Sequence, residues 1–79
     1  MSGISNLRSE RYRLGMSQEE LGELVGRRRA TIGRWERDPA QIPGPILVQL
    51  SKKFDCSIDY LLGFTDERTS KKMRSRNEQ

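Results

Sequence analysis

Apolar residues along this 79-residue chain recur at steps of three and four, and nowhere alternate with polar ones for long enough to make a strand. The pattern predicts an all-α fold of five helices. Ile4, Leu7 and Leu14 mark a first helix over roughly Ile4 to Arg13, closed by Gly15, with Arg8, Glu10 and Arg13 on its other faces. Ser17-Gln18-Glu19-Glu20 then has the form of a capping box, in which the serine hydroxyl takes the Glu20 amide and the Glu20 carboxylate reaches back. Leu21, Leu24 and Val25 form the buried stripe of this second helix, and Gly26 suits the left-handed turn that ends it. A third helix spans roughly Arg28 to Arg37. At about 100° per residue, Ile32 and Trp35 fall on one side of it and Ala30, Arg34 and Arg37 on the other.

Asp38-Pro39 stops that helix, because the proline ring disfavours helical geometry at the residue before it. A loop through Ala40, Gln41 and Ile42 leads to a fourth helix that starts at Pro43 or Pro45 and turns Ile46, Leu47, Leu50 and Phe54 inward. Ser57 caps a short fifth helix with Ile58, Leu61 and Leu62 facing inward, and Gly63 ends it. From Thr65 to Gln79 there is no apolar periodicity and Met73 is the one hydrophobic residue. The reading is therefore a single domain over residues 1–64 and a basic, disordered tail over residues 65–79, carrying Arg68, Lys71, Lys72, Arg74 and Arg76.

A chain this short buries only about 60% of its unfolded surface, so the core is small. No apolar run approaches the roughly 18 residues of a membrane span, and the first residues carry neither a secretory signal nor a glycine at position 2 for myristoylation. The single cysteine, Cys56, has no intramolecular partner and reads as a buried core thiol. A reducing, cytoplasmic setting fits. The chain has no histidine, no cluster spaced like metal ligands, no phosphate-cradling glycine loop and no nucleophile beside a base, so the sequence argues against an enzyme, a metal site or a cofactor.

Charge adds a sharper clue. Fifteen Lys and Arg against eleven Asp and Glu give a net charge of +4, and the pI of 9.7 is in the range that points to a nucleic-acid partner. Arg27, Arg28, Arg29, Arg34 and Arg37 crowd into residues 27–37, where Glu36 is the only acid, while Glu19, Glu20 and Glu23 precede them. Three arginines in a row would by themselves read as a solvated charged face. Here they open the exposed side of a helix that follows a tight glycine turn.

These residues resemble the lambdoid repressor and Cro type of helix-turn-helix regulators, the XRE family. The resemblance is carried by Arg11, by Leu14-Gly15-Met16-Ser17-Gln18, by Glu20-Leu21 and Gly26, by Thr31-Ile32 and Glu36, by Pro43, and by Ser57-Ile58-Asp59-Tyr60-Leu61-Leu62-Gly63. It covers roughly residues 4 to 64. It implies a lambda-repressor-like domain whose second helix lies across the DNA backbone and whose third enters the major groove. A homodimer on a two-fold symmetric double-stranded operator is further implied, with half-sites roughly 10 base pairs apart.

The same resemblance implies that Arg29, Ala30 and Arg34 reach base edges, that Gln18 and Arg28 meet phosphate, and that Arg11 and Glu36 form an ion pair tying the first helix to the third, with a phosphate contact as the alternative role of Arg11. Arg27 and Arg37 are phosphate contacts or solubilising charge. Arginine donates two bonds to the O6 and N7 of guanine, so a G-containing half-site is expected. Trp35, one turn from Ile32, reads as core, and Gly33 marks either a close backbone approach or a tolerated loss of helix propensity.

Two departures from the family pattern matter. Arg27 and Arg28 stand where an apolar residue and a capping Ser or Thr are usual, so the third helix lacks its cap and its first turn is expected to order only on DNA. The loop Asp38-Pro39-Ala40-Gln41-Ile42 carries no basic residue, and the tail is either an electrostatic arm in its place or a solvated remnant. The expected function is a sequence-specific transcriptional repressor without a small-molecule ligand, dimerising through the fifth helix with Tyr60 and Phe64. The alternative is a protein-interaction module such as an antitoxin, whose arginines would meet an acidic partner.

Overall fold

A computed structural model describes residues 5–68. It contains α1 (Asn6–Arg13), α2 (Gln18–Val25), α3 (Arg29–Arg37), α4 (Gly44–Phe54) and α5 (Ile58–Leu62), with one 3-10 turn at Pro39–Gln41 and no strand among the described residues. The five helices and their order are those the apolar spacing predicts. Ile4 lies outside the described residues, and α1 starts at Asn6 because Ser5 caps it, its hydroxyl accepting the Arg8 amide at 3.1 Å.

The α2 start has both halves of its capping box: the Glu20 amide donates to Ser17 Oγ at 3.0 Å, and the Ser17 amide to Glu20 Oε1 at 2.8 Å. Its end is built by two glycines with different tasks. Gly26 takes the left-handed conformation, φ 74°, that reverses the chain. Gly22 lets the chain return closely: the Arg27 amide donates to the Gly22 carbonyl at 2.8 Å, and a Cβ on Gly22 would collide with the Arg27 carbonyl oxygen. α3 then begins at Arg29, one residue later than predicted, with Arg28 at the N-cap making no side-chain bond.

α3 packs against α2 and α1, while α5 lies between α1 and α4. Ile32 and Trp35 of α3 join Leu7, Leu21, Leu50, Phe54 and Leu61 in one buried cluster. Fully burying each such side chain contributes about 1.5–3 kcal/mol, so a handful of them carry much of the stability of so small a domain. Leu24 is the exception to the predicted α2 stripe and stays exposed. The face of α2 turned to α3 runs through Leu21, Gly22 and Val25, on the opposite side of Leu21 from Leu24. Leu14, beyond the end of α1, is also exposed, and Leu47, Ile58 and Leu62 are half-buried.

Two placements correct the sequence expectation. Glu10, expected on an outer face of α1, is only 2% exposed. Tyr60, expected near a dimer surface, is buried and its hydroxyl donates to Glu10 Oε2 at 3.2 Å; Phe64 is exposed. Both differences have one cause, because the chain runs on past Phe64 and closes over this corner. The Ser57 amide donates to the Arg68 carbonyl at 2.7 Å, and Arg68 donates to both Glu10 oxygens at 2.7 and 2.9 Å and to the Phe54 carbonyl at 2.7 Å. Arg68, grouped with the tail by composition, is thus bonded to the helical domain. Lys71, Lys72, Arg74 and Arg76 lie outside the described residues.

Candidate nucleic-acid interface

The outer side of α3 gathers Arg29, Ala30, Arg34 and Arg37, all exposed, and the turn before it adds exposed Arg27 and Arg28. None of these five arginines has a carboxylate partner among the described residues. The one acid among residues 27–37 is engaged elsewhere. Glu36 points inward and meets Arg11 Nε at 2.6 Å and Nη2 at 3.3 Å, with both side chains almost fully buried. The surface of α3 therefore carries uncompensated positive charge, arranged on one face because the other face is core.

Arg11 also donates to the Met16 carbonyl at 2.9 Å, so one side chain fixes α1, the approach to α2 and the body of α3 in one relative position. Glu36 raises the Arg11 pKa further through their hydrogen bond, against the opposing effect of burial. Gln18, at the first turn of α2, donates its amide to Glu36 Oε1 at 3.1 Å. Its side chain is therefore half-committed inside the protein, and a phosphate there would share or displace that bond. A Cβ on Gly33 would come no closer than 3.6 Å to Gln18 Nε2, an ordinary contact, so nothing within the chain demands glycine there.

Two residues to which the sequence assigned no functional role, Arg8 on the outer side of α1 and Tyr12, lie at the edge of this face. Arg8 Nε and Nη2 both donate to the Tyr12 hydroxyl, at 3.0 and 2.8 Å, and the Arg11 guanidinium stands 4.8 Å from the Tyr12 ring centre. The Arg8 bond lowers the Tyr12 pKa from its ordinary value. The pair's spacing of four within α1 was a usable signal. Arg8, Tyr12, Gln18 and Arg29 border one open depression of about 360 Å³.

Other chemistry is sparse. Among the described residues no group of three His, Cys, Asp or Glu could hold a metal ion, and no helix is long and apolar enough to cross a membrane. Cys56 is buried, and burial with the nearby Glu10 charge pushes its thiol up to about 11, so it is held as the unreactive neutral thiol.

A glycine-turned pair of helices, the second presenting unpaired arginines, is the architecture of a DNA-binding helix-turn-helix unit. Residues 7–61 match the family model described as helix-turn-helix, and the chain belongs to that family of DNA-binding transcription regulators, in its XRE branch. Over 72 residues it is 38% identical to the Repressor protein C2 of Salmonella phage P22, covering 91% of this chain and 33% of that protein. Over 61 residues it is 34% identical to the uncharacterized HTH-type transcriptional regulator YobD of Bacillus subtilis (strain 168), covering 77% of this chain and 54% of that protein. The chain thus spans a third to about half of these relatives. No solved structure matches it.

Proposed function

We propose that this chain is a sequence-specific DNA reader that represses transcription by occupying its site as a homodimer on a two-fold symmetric operator, with α3 in the major groove. The observation that carries this reading is the run of carboxylate-free arginines on the exposed face of α3, backed by a buried ion pair that fixes the helix against α1 and α2. Arg34 and Arg29 donate to guanine O6 and N7, and Ala30 leaves room for a thymine methyl. Gln18, Arg28, Arg27 and Arg37 contact phosphates. The identity to a protein named a phage repressor supports the same reading.

The uncapped Arg28 start adds a conformational part. Positive charge there opposes the helix dipole by about 0.3–1 kcal/mol, which phosphates neutralise on binding, so amides 27–31 gain exchange protection on the operator. Selecting bound sequences from a random duplex pool tests the whole reading. It should yield one palindromic, G-containing motif, and Arg34→Ala should lose about 1–3 kcal/mol of discrimination at one position of each half-site. Failure to enrich any motif sinks the reading in favour of an interaction module.

A further inference from the structure

We propose that Arg8 and Tyr12 form a phosphate clamp on α1, gripping the DNA backbone beside the contacts made by α2 and α3. The clamp rests on the DNA-reading assignment above and extends its footprint to a helix outside the helix-turn-helix unit.

The Tyr12 hydroxyl accepts two bonds from Arg8, so its own proton is left to donate, and no acceptor for it stands among the described residues. Arg8 has no carboxylate among them either, so its charge is uncompensated. A neutral phenol is an unusual sole side-chain partner for a guanidinium. The pair offers an outward O–H and the remaining guanidinium N–H groups together, which is a donor set for an anionic, acceptor-only ligand.

Arg11 makes the arrangement rigid. Its guanidinium lies against the Tyr12 ring while its charge is taken up by Glu36, so it braces the phenol from inside without competing for the ligand. The ring is 54% exposed yet held by cations at 4.8 and 5.2 Å, which lowers the entropy lost on binding. Gln18 and Arg29 border the same depression, and Glu19 is the acid at its rim, one negative charge against Arg8 and Arg29. A DNA strand passing the start of α2 with α3 in the groove would lay a phosphate here. The occupant is the phosphodiester of duplex DNA.

Equilibrium binding across a salt series, on a mixed-sequence duplex and on a selected duplex, tests the clamp with wild type, Arg8→Ala, Tyr12→Phe and Arg34→Ala. Arg8→Ala should weaken both duplexes by the same factor, about tenfold, and reduce the slope of log affinity on log salt by about 0.9. Tyr12→Phe should weaken both by about threefold, and Arg34→Ala chiefly the selected one. Thermal melts separate loss of contact from loss of fold, and Arg8→Lys should recover the slope. If the Arg8 and Tyr12 variants keep wild-type affinity and slope while Arg34→Ala loses specificity, the clamp falls and the DNA reading stands. If wild type binds neither duplex, both fall. Inorganic phosphate saturating the Arg8 Nε–H signal alone, with DNA affinity unchanged in Arg8→Ala, would assign the site to the free ion and overturn the clamp.

Discussion

Two carboxylates are buried among the described residues, and they are held in different ways. Glu36 lies under the reading helix, paired with Arg11, whose side chain is as buried as its own. Glu10 lies under the chain's last described residues, shared between Arg13 and Arg68, which are 45% and 36% exposed. A buried charge is costly unless paired, so each carboxylate makes its surroundings depend on particular cations. One pair thus joins two helices of the domain, α1 and α3, while the other couples α1 to a segment that composition alone would assign to a tail.

The largest effect should come from the internal pair. Arg11→Met leaves Glu36 buried with only the Gln18 amide, and breaking a buried pair from one side costs about 3–5 kcal/mol. Urea denaturation should show this as a large fall in midpoint with an unchanged slope. A cost below about 1 kcal/mol would mean that water reaches Glu36 and that the two carboxylates do not differ.

Arg68→Ala should cost less, about 2 kcal/mol, because Arg13 remains on Glu10 and the lost guanidinium is itself a third exposed. Truncation after Phe64 should cost at least as much, since it also removes the Arg68 carbonyl that accepts the Ser57 amide. A truncated chain as stable as wild type would place the boundary of the folded unit at Phe64 after all.

Acid sharpens the same point. Burial alone would raise the Glu10 carboxyl, but hydrogen bonds from Arg68 and Arg13 outweigh it and hold the group below its ordinary value of 4.5. With the folded value lower than the unfolded one, the unfolded chain takes up the proton first. The Glu10 contribution is therefore complete above pH 4.5 and is lost as pH falls below it towards the folded value. The stability gap between wild type and Arg68→Ala should narrow over that acid range. A gap that stays constant throughout would separate Arg68 from the Glu10 charge.

How much was legible follows from where each partner lies. Capping boxes, glycine turns and apolar steps are local, and they specify all five helices within a residue or two. The pair Arg11 and Glu36 was readable because the family frame places both residues. Glu10 was not. The buried stripe of α1 is Leu7, Glu10 and Arg11, a helical face with two charged members, and an apolar-only pattern cannot mark such a face. Its main partner, Arg68, is 58 residues away, a separation no local spacing encodes. Gly22 was missed for a related reason, since its role is a close backbone approach made only once the turn has formed.

The smallest effects lie with the uncharged donor on each carboxylate, Tyr60 on Glu10 and Gln18 on Glu36. Tyr60→Phe removes a hydroxyl from Glu10 and leaves the ring in the core, so it should cost about 1 kcal/mol and leave DNA affinity untouched. Gln18→Ala removes a half-exposed amide from Glu36, which keeps both Arg11 bonds, so the stability cost should be about half as large. Its effect on DNA should be the reverse of Tyr60→Phe, a loss of about 1 kcal/mol on every sequence alike, because a phosphate contact carries no base information. Measured together, melting midpoints and affinities for the two variants assign each donor. A Gln18→Ala variant that melts lower but binds DNA as wild type would make Gln18 purely a strut for Glu36, and the two carboxylates would then share the same plan.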